Sequence, residues 1–548
     1  MRNDLEDVPT LTKLPSEILN IILEYLDVDD VLSARQTCSL LSKATFGRNL
    51  WAQLLHDQAK YVPMDDPIHG YTDLLESRTI AEVEDIVRKN KRNGELWTRA
   101  RTRMPRRLKR LDVSGILIGL KVIAERWLLA VYNEWYFLLY DLGPAAAEDP
   151  TLYTRSAPMA GSNCTNFAIA LDDQRTTLTI AISSSSMMKV YEIKLDFAES
   201  RIRLSLFLHA GVPGVVRALR IPERMFVFSD STSVAVTTIK TNFVAKIATI
   251  RLNSENLEEW WDGIISVEML GPYVLIFKAR SLEIHEYESL LESSSAPVSP
   301  RSPLQHIFTV SLRDVSFSDC SVMTDHDAQL RVYQRSLFAH DVIQGLFHYT
   351  IRLTIPLSSE SPLSLDVLLL GVYPLTLPLI PRPTSLNYRP SFNQSIGQLP
   401  DTNIVNSIAD SPTPTYTHTH FLSPSFGVTG GGSSVRAHGV KHSHGHMANP
   451  APRGFVSAHC MGPQGKRAIW VERQRSSTSR ELIVWGQKPQ SQSTILDGPE
   501  AVEIPKQVIF TIRSYDLRDD VSYCAFSEIY GTIALGHRSG DISILQMS

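Results

Sequence analysis

The sequence predicts a multidomain protein: a small all-α unit with a helical connector, then an all-β ring of about seven blade-like sheets carrying a long disordered insertion. Three observations predict it. Apolar residues recur at helical spacing as far as residue 110, then switch to the alternation of strands. From residue 113 onward, paired short strands return every 45 to 51 residues. Four strands in about 45 to 50 residues is the length of one propeller blade. Between residues 381 and 453 the pattern lapses into Pro, Ser, Thr, Asn and Gly, a composition that cannot bury enough apolar surface to order itself. A chain of 548 residues is also too long for one ordinary core, so two or three units are expected.

The helical unit comes after a short tail, residues 1–11, and runs through TKLPSEILNIILEYLDVDDVLSARQTCSLLSKATFGRNLWAQLL from Thr12 to Leu55. It reads as three short helices. Pro15 suits a first helical turn, where its missing N–H needs no partner. Ser16 and Glu17 put an acceptor and a negative charge at that helix's positive end. Ile18, Leu19, Ile22, Leu23 and Leu26 form a broad apolar stripe. Asp27 to Asp30 interrupt it and offer N-cap oxygens to a second helix carrying Val31, Leu32 and Arg35. Ser39 caps a third with Leu40, Leu41, Ala44 and Phe46, and Trp51 closes the unit. About forty residues cannot be stable alone, so apolar surface on more than one helix face must go to the rest of the chain or to a partner.

These residues resemble the F-box: Leu14-Pro15-x-Glu17-Ile18-Leu19, then Ile22, Leu26, Leu32, Arg35, Cys38, Leu40 and Leu50-Trp51. The resemblance covers residues 12–56. It implies helices that dock on the small Skp-type adaptor of a cullin–RING ubiquitin ligase, while the rest of the chain captures a protein substrate. It implies Leu14, Pro15, Ile18, Leu19, Ile22, Leu26, Leu32 and Trp51 as the residues that contact the adaptor or hold the helices that do.

Residues 57–112 read as a helical connector that sets the angle between this unit and the β region. Tyr71, Leu74 and Leu75 share one face; Ile80, Val83, Ile86 and Val87 share another. Its end is basic: eleven Lys and Arg between Arg88 and Arg110 face one acid, Glu95, with Trp97 among them. A nucleic-acid contact is one reading. A solvated helix face, or one that complements an acidic partner, is the plainer reading and is preferred, because a charge run alone is weak evidence.

The β region spans residues 113–380 and 454–548. Strand pairs recur as Trp127–Val131 with Leu138–Asp141, Leu178–Ile182 with Lys189–Glu192, Met225–Phe228 with Val234–Thr237, Tyr273–Phe277 with Glu283–Glu286, Ala468–Val471 with Ile483–Gly486, and Thr532–Leu535 with Ser543–Gln546. Arg331–Gln334 joins the second member of that series. The last unit, with Gly531, Gly536-His537 and the Ser539-Gly540-Asp541 turn, resembles a WD-type blade, although the Trp-Asp ending is absent from every unit. Closing the ring would pair the strand near Ile544 with one near Val113 to Leu117, leaving no open sheet edge. A β-sandwich, or two small β domains, is the competing architecture. Ser293–Pro303 reads as a linker between blades, and residues 381–453 as a loop between the fifth and sixth. With its long helical head and degenerate repeats, the chain resembles a fungal type of F-box protein.

Net charge is −4, which favours neither nucleic acid nor membrane overall. Five cysteines at 38, 164, 320, 460 and 524 are odd in number and form no CxxC, as in reduced intracellular chains. The start, MRNDLEDVPT, is acidic and shows no signal peptide. Leu365–Pro381 contains Asp366 and three prolines and is too short to span a bilayer. The expectation is an intracellular protein of cytoplasm or nucleus. His438, His442, His444 and His446, with His418 and His420 upstream, form a flexible cluster without Cys or carboxylate, so no ordered metal site and no cofactor are expected. No GxSxG, HExxH or P-loop occurs, and Asp172-Asp173 and Asp519-Asp520 read as turns, so no catalytic residue is assigned. Ser299, Ser302, Ser411, Thr413 and Ser423 precede prolines and are candidate phosphorylation sites. At the ring's mouth, Arg217 and Arg220 could meet a target. The expected function is the substrate-recognition subunit of a Skp–cullin–F-box ligase, itself not an enzyme; a scaffold without ligase activity and a nucleic-acid binder are the alternatives.

Overall fold

The computed structural model describes residues 14–64, 78–98, 107–111, 115–143, 150–159, 163–172, 174–195, 201–209, 214–221, 225–230, 233–240, 243–251, 262–287, 305–312, 315–323, 327–329, 332–355, 363–375, 454–474, 477–487 and 502–547. Residues 383–451 form a separate unit, all of it outside the described residues. Tyr71, Leu74, Leu75, the histidine cluster, the tail and every Ser-Pro and Thr-Pro site named above also lie outside them.

Seven sheets make seven blades, antiparallel but for Val502–Glu503, which joins the outer edge of the fifth in parallel. Blade 1 is Leu117–Ile123, Trp127–Tyr132, Tyr136–Asp141 and Thr151–Arg155; blade 2 is Asn166–Leu171, Thr177–Ser183, Met187–Lys194 and Arg201–His209. Blade 3 is Val215–Arg220, Met225–Ser229, Ser233–Lys240 and Phe243–Arg251; blade 4 is Ile264–Leu270, Tyr273–Lys278, Ser281–Glu286 and Gln305–Ser311. Blade 5 is Phe317–Val322, Val332–Asp341, Gly345–Thr354 and Ser364–Pro374; blade 6 is Phe455–Met461, Arg467–Arg473, Ser479–Gly486 and Val508–Arg513. Blade 7 is Val521–Phe526, Thr532–His537 and Ile542–Gln546, completed by Arg107–Leu111. Each junction between neighbouring blades has its own buried apolar cluster, from blade 1 against 2 round to blade 7 against 1. The second strands explain the near-continuous apolar runs in the sequence: Trp127–Tyr132 and Thr532–His537 are buried at every residue, between blades on both faces.

Four expectations need correction. The strand that closes the ring is Arg107–Leu111, paired from Arg107 opposite Gln546 to Leu111 opposite Ile542, not the stretch near residues 113–117. It lies in the basic run, where three charges and only two leucines, three positions apart, give no strand alternation. Leu117 instead opens blade 1. Arg331–Gln334 does not continue its series: Val332–Asp341 is the second strand of blade 5, and Gly345–Thr354 is the third. Ten-residue strands there shift the repeat by one strand while preserving its spacing. Ser293–Pro303 falls inside blade 4, between its third and fourth strands, rather than between blades. Finally, the head has a further helix. The helices α1 (Ser16–Glu24), α2 (Val28–Arg35) and α3 (Ser39–Ala44) are succeeded by α4 (Arg48–Ala59), which carries Trp51.

Candidate functional site

The head is built on a two-sided α1. Leu19 and Leu23 are buried, and Leu23 packs with Val28, Val31, Leu50, Trp51, Leu54 and Leu55. Pro15 stands at the N-cap with extended backbone, and Asp27 caps α2 by accepting from Val28 N at 2.6 Å. Trp51 is fully buried and its Nε1 donates to Thr45 O at 2.7 Å. The other side of α1 is left to solvent. Ile18, Ile21 and Tyr25 are 44%, 49% and 78% exposed, and Ile22 is half-buried beside them. Positions 18, 21, 22 and 25 lie on one stripe of a helix. Leu40 and Phe46 add further exposed apolar surface from the α3 region.

The eight residues proposed from sequence therefore divide. Pro15 and Ile18 are exposed; Leu14, Ile22, Leu26 and Leu32 are half-buried; Leu19 and Trp51 belong to the core. Sequence reasoning missed Ile21 and Tyr25. The i, i+3, i+4, i+7 spacing from Ile18 is the available signal, within a broad apolar stripe that the sequence leaves undivided between core and adaptor contact.

A long helix, α5 (Ile80–Thr98), ties the head to the ring. It starts in a capping box: Thr79 N donates to Glu82 Oε2 at 2.7 Å and Glu82 N donates to Thr79 Oγ1 at 3.4 Å. Val83 and Val87 enter the head core. Arg35 Nη1 and Nη2 donate to Glu84 Oε1 and Oε2 at 2.9 and 3.0 Å, and its guanidinium lies 4.3 Å from the Phe46 ring centroid. Lys91 reaches Asp27 and Asp29 at 2.8 and 2.6 Å, so part of the basic run answers acids of the chain itself.

Further along, the same helix meets the ring. Trp97 is buried in the core between blades 6 and 7, with its ring centroid 5.2 Å from Phe526 and the Arg467 guanidinium 5.0 Å away. Asn93 Nδ2 donates to Ile529 O at 3.3 Å. Met64 and Gln464 exchange two hydrogen bonds at 2.9 and 2.8 Å, and Lys466 Nζ donates to Lys60 O at 2.8 Å. Residues 83 to 97 span about 21 Å at the helical rise, a length fixed by packing at both ends.

Apart from the packing of Trp97 on strand residues Phe526 and Arg467, these ring contacts are hydrogen bonds that fall on loops joining first and second strands, at residues 462–466 and 527–531. Glu528, fully buried, accepts from the backbone N–H groups of Gln464, Lys466 and Arg467 at 2.6, 2.9 and 2.8 Å. A Cβ at Gly462 would stand 2.3 Å from the Glu528 carboxyl carbon, so only glycine lets that loop close. In antiparallel blades, such loops share one face of the ring. The turns between second and third strands, and the segments between blades, share the opposite face.

On the innermost strands, approaching that opposite face, Arg217 sits at a β-bulge between Val216 and Ala218, a feature that re-aims a side chain. Its Nε donates to Ser229 Oγ at 2.7 Å; no ion pair to it occurs among the described residues, and burial pulls its pKa down. Arg220 differs, donating to Gly271 O and Tyr287 OH at 2.9 and 2.7 Å as a strut between blades 3 and 4. Asp172 caps its own turn through Thr176 and Thr177, and Asp520 pairs with Arg473 and Arg480, so Asp172 serves a turn and Asp520 a blade junction.

Residues 11–57 match the F-box-like family. No curated protein matches the chain. Among solved structures it is similar to the β-propeller domain of Cps50 (Swd1) from Myceliophteria thermophila, at 9% identity over 81% of this chain and 100% of that chain, with a TM-score of 0.43.

Proposed function

From a chain in which an F-box-like domain at residues 11–57 precedes a seven-bladed β-propeller, we propose a substrate-recognition subunit of a Skp–cullin–F-box ubiquitin ligase. F-box domains bind Skp-type adaptors in general, and domains of these two kinds are typically non-catalytic. The observation that carries the reading is the exposed stripe Ile18, Ile21, Ile22 and Tyr25 on a helix whose other side is fully committed to the head core. Apolar surface grouped on one face of a folded unit is an interaction site. The adaptor covers that stripe, with Pro15 and Leu40 at its margin.

The helix α5 then acts as a strut. It holds the head against the loops at one face of the ring, leaving the opposite face for a target. Arg217, a half-buried guanidinium with one neutral partner, is the residue there best suited to meet an acidic group on that target. No described helix is long and apolar enough to cross a membrane.

Mixing the full chain and its Ile21→Asp variant with a Skp-type adaptor and a cullin tests the proposal. Adaptor and cullin joining the parent but not the variant supports it. Adaptor without cullin leaves a scaffold as the function, and equal binding by both chains removes α1 as the docking helix.

A further inference from the structure

Blades 5 and 6 meet through backbone as well as side chains: Val502–Glu503, between the third and fourth strands of blade 6, pairs in parallel with Gly371 and Val372 on the outermost strand of blade 5. One group of side chains at the same junction is unusual. Asp319 on the first strand of blade 5 lies directly across the ladder from His340 on the second, so both side chains emerge on one face of the sheet. His459, on the first strand of blade 6, packs against that face. The two imidazole rings are 5.7 Å apart at 61°, and His459 Nε2 stands 3.4 Å from Asp319 Oδ2.

Both histidines are more than nine-tenths buried at the side chain or residue level, yet His340 Nε2 and both nitrogens of His459 have no hydrogen-bond partner. A buried imidazole normally finds partners for its nitrogens. The 3.4 Å approach of Nε2 to the carboxylate misses hydrogen-bond geometry, but it suits a shared ion: two donors each about 2.1 Å from a tetrahedral zinc stand about 3.4 Å apart. Ser318 Oγ lies 3.4 Å from His340 Nδ1, so Nε2 is the His340 nitrogen left without a partner.

We propose that His459, Asp319 and His340 bind a divalent transition-metal ion, zinc by the nature of their donors, as a staple between blades 5 and 6. As they stand, no three histidine, cysteine or carboxylate side chains among the described residues are placed to hold a metal ion. His459 and Asp319 stand at ligand spacing, and the His340 ring turns to bring Nε2 to them. The Asp319 side chain is 68% exposed, so the ion has an entry path and a fourth position for water.

The test uses the full chain with His418, His420, His438, His442, His444 and His446 replaced by alanine, which removes the other histidine-rich segment. Zinc binding is measured by competition with a chromophoric chelator, and melting is monitored with and without zinc. One equivalent of zinc that raises Tm, with affinity at least tenfold weaker in both Asp319→Asn and His459→Gln, supports the site. Asp319→Asn alters an exposed side chain and keeps the test valid if the buried substitution fails to fold. No zinc bound, or Asp319→Asn binding as tightly as its parent, overturns the proposal.

Discussion

In the head, Ile18, Ile21, Tyr25, Leu40 and Phe46 remain between 41% and 78% exposed, whereas the second strands of blades 1, 4 and 7 are buried at every residue. Both regions are built from apolar sequence. The ring closes on itself, so each blade's two faces meet a neighbour and the last edge is paired by Arg107–Leu111. The head has no such closure. Its core is one cluster, completed by Val83 and Val87 from α5, and one face of α1 is left over. Burial that is complete marks a scaffold; burial that stops halfway round a helix marks where something else belongs.

The comparison is broken most forcefully at Trp51. Trp51→Ala is expected to cost about 4 kcal/mol, confined to the head: hydrogen exchange quickens across residues 16–59 while the second strands of the blades stay protected. Global loss of protection would show that the two regions do not fold as the contrast implies. Ile21→Asp sharpens the contrast from the other side. Adaptor affinity is expected to fall about 100-fold, or about 2.7 kcal/mol, with stability changed by less than about 0.5 kcal/mol. A large drop in melting temperature would instead place Ile21 in the core.

The ring should show its own acid transition. Burial alone would raise the Glu283 carboxyl, but hydrogen bonds from His285 and Lys278, and their charges, hold it down at about 2. The unfolded carboxyl titrates near about 4.3, so this stabilisation is complete above about pH 5 and is lost as the pH falls through about 4 towards 2. Comparing the pH profiles of the parent and Glu283→Gln should reveal about 2 kcal/mol of blade 4 stability with that dependence; identical profiles would exclude the pair as its source. The smallest effect is expected at Lys91, bridged to Asp27 and Asp29, whose side chains are mostly solvated. Lys91→Ala should cost no more than about 0.5 kcal/mol and nothing measurable in high salt.

Much of this was legible in the sequence. Strand pairs such as Tyr273–Phe277 with Glu283–Glu286 were plain because residues buried between blades must be continuously apolar. Val83 and Val87 were placed on one helix face by their spacing. Three things were hidden. Ile21 and Tyr25 could not be told from core residues, since periodicity shows that a stripe exists but not what covers it. Arg107–Leu111 carries three basic residues and only two leucines, three positions apart, so it shows no strand alternation. The junction of Asp319, His340 and His459 arises from cross-strand register and blade order, so residues 319 and 459 meet across a long stretch of sequence without any local motif.

The pairing of Arg107–Leu111 with Ile542–Gln546 also sets an order of events during synthesis. Every other blade can form from strands that leave the ribosome in succession, but the seventh waits for the last described strand. The head, by contrast, needs nothing beyond Val87 to complete its core. A nascent chain would thus present the exposed stripe of α1 long before the ring is closed. Removing only the final strand would leave the head intact and expose two sheet edges at once, leaving a chain prone to pairing with its own copies.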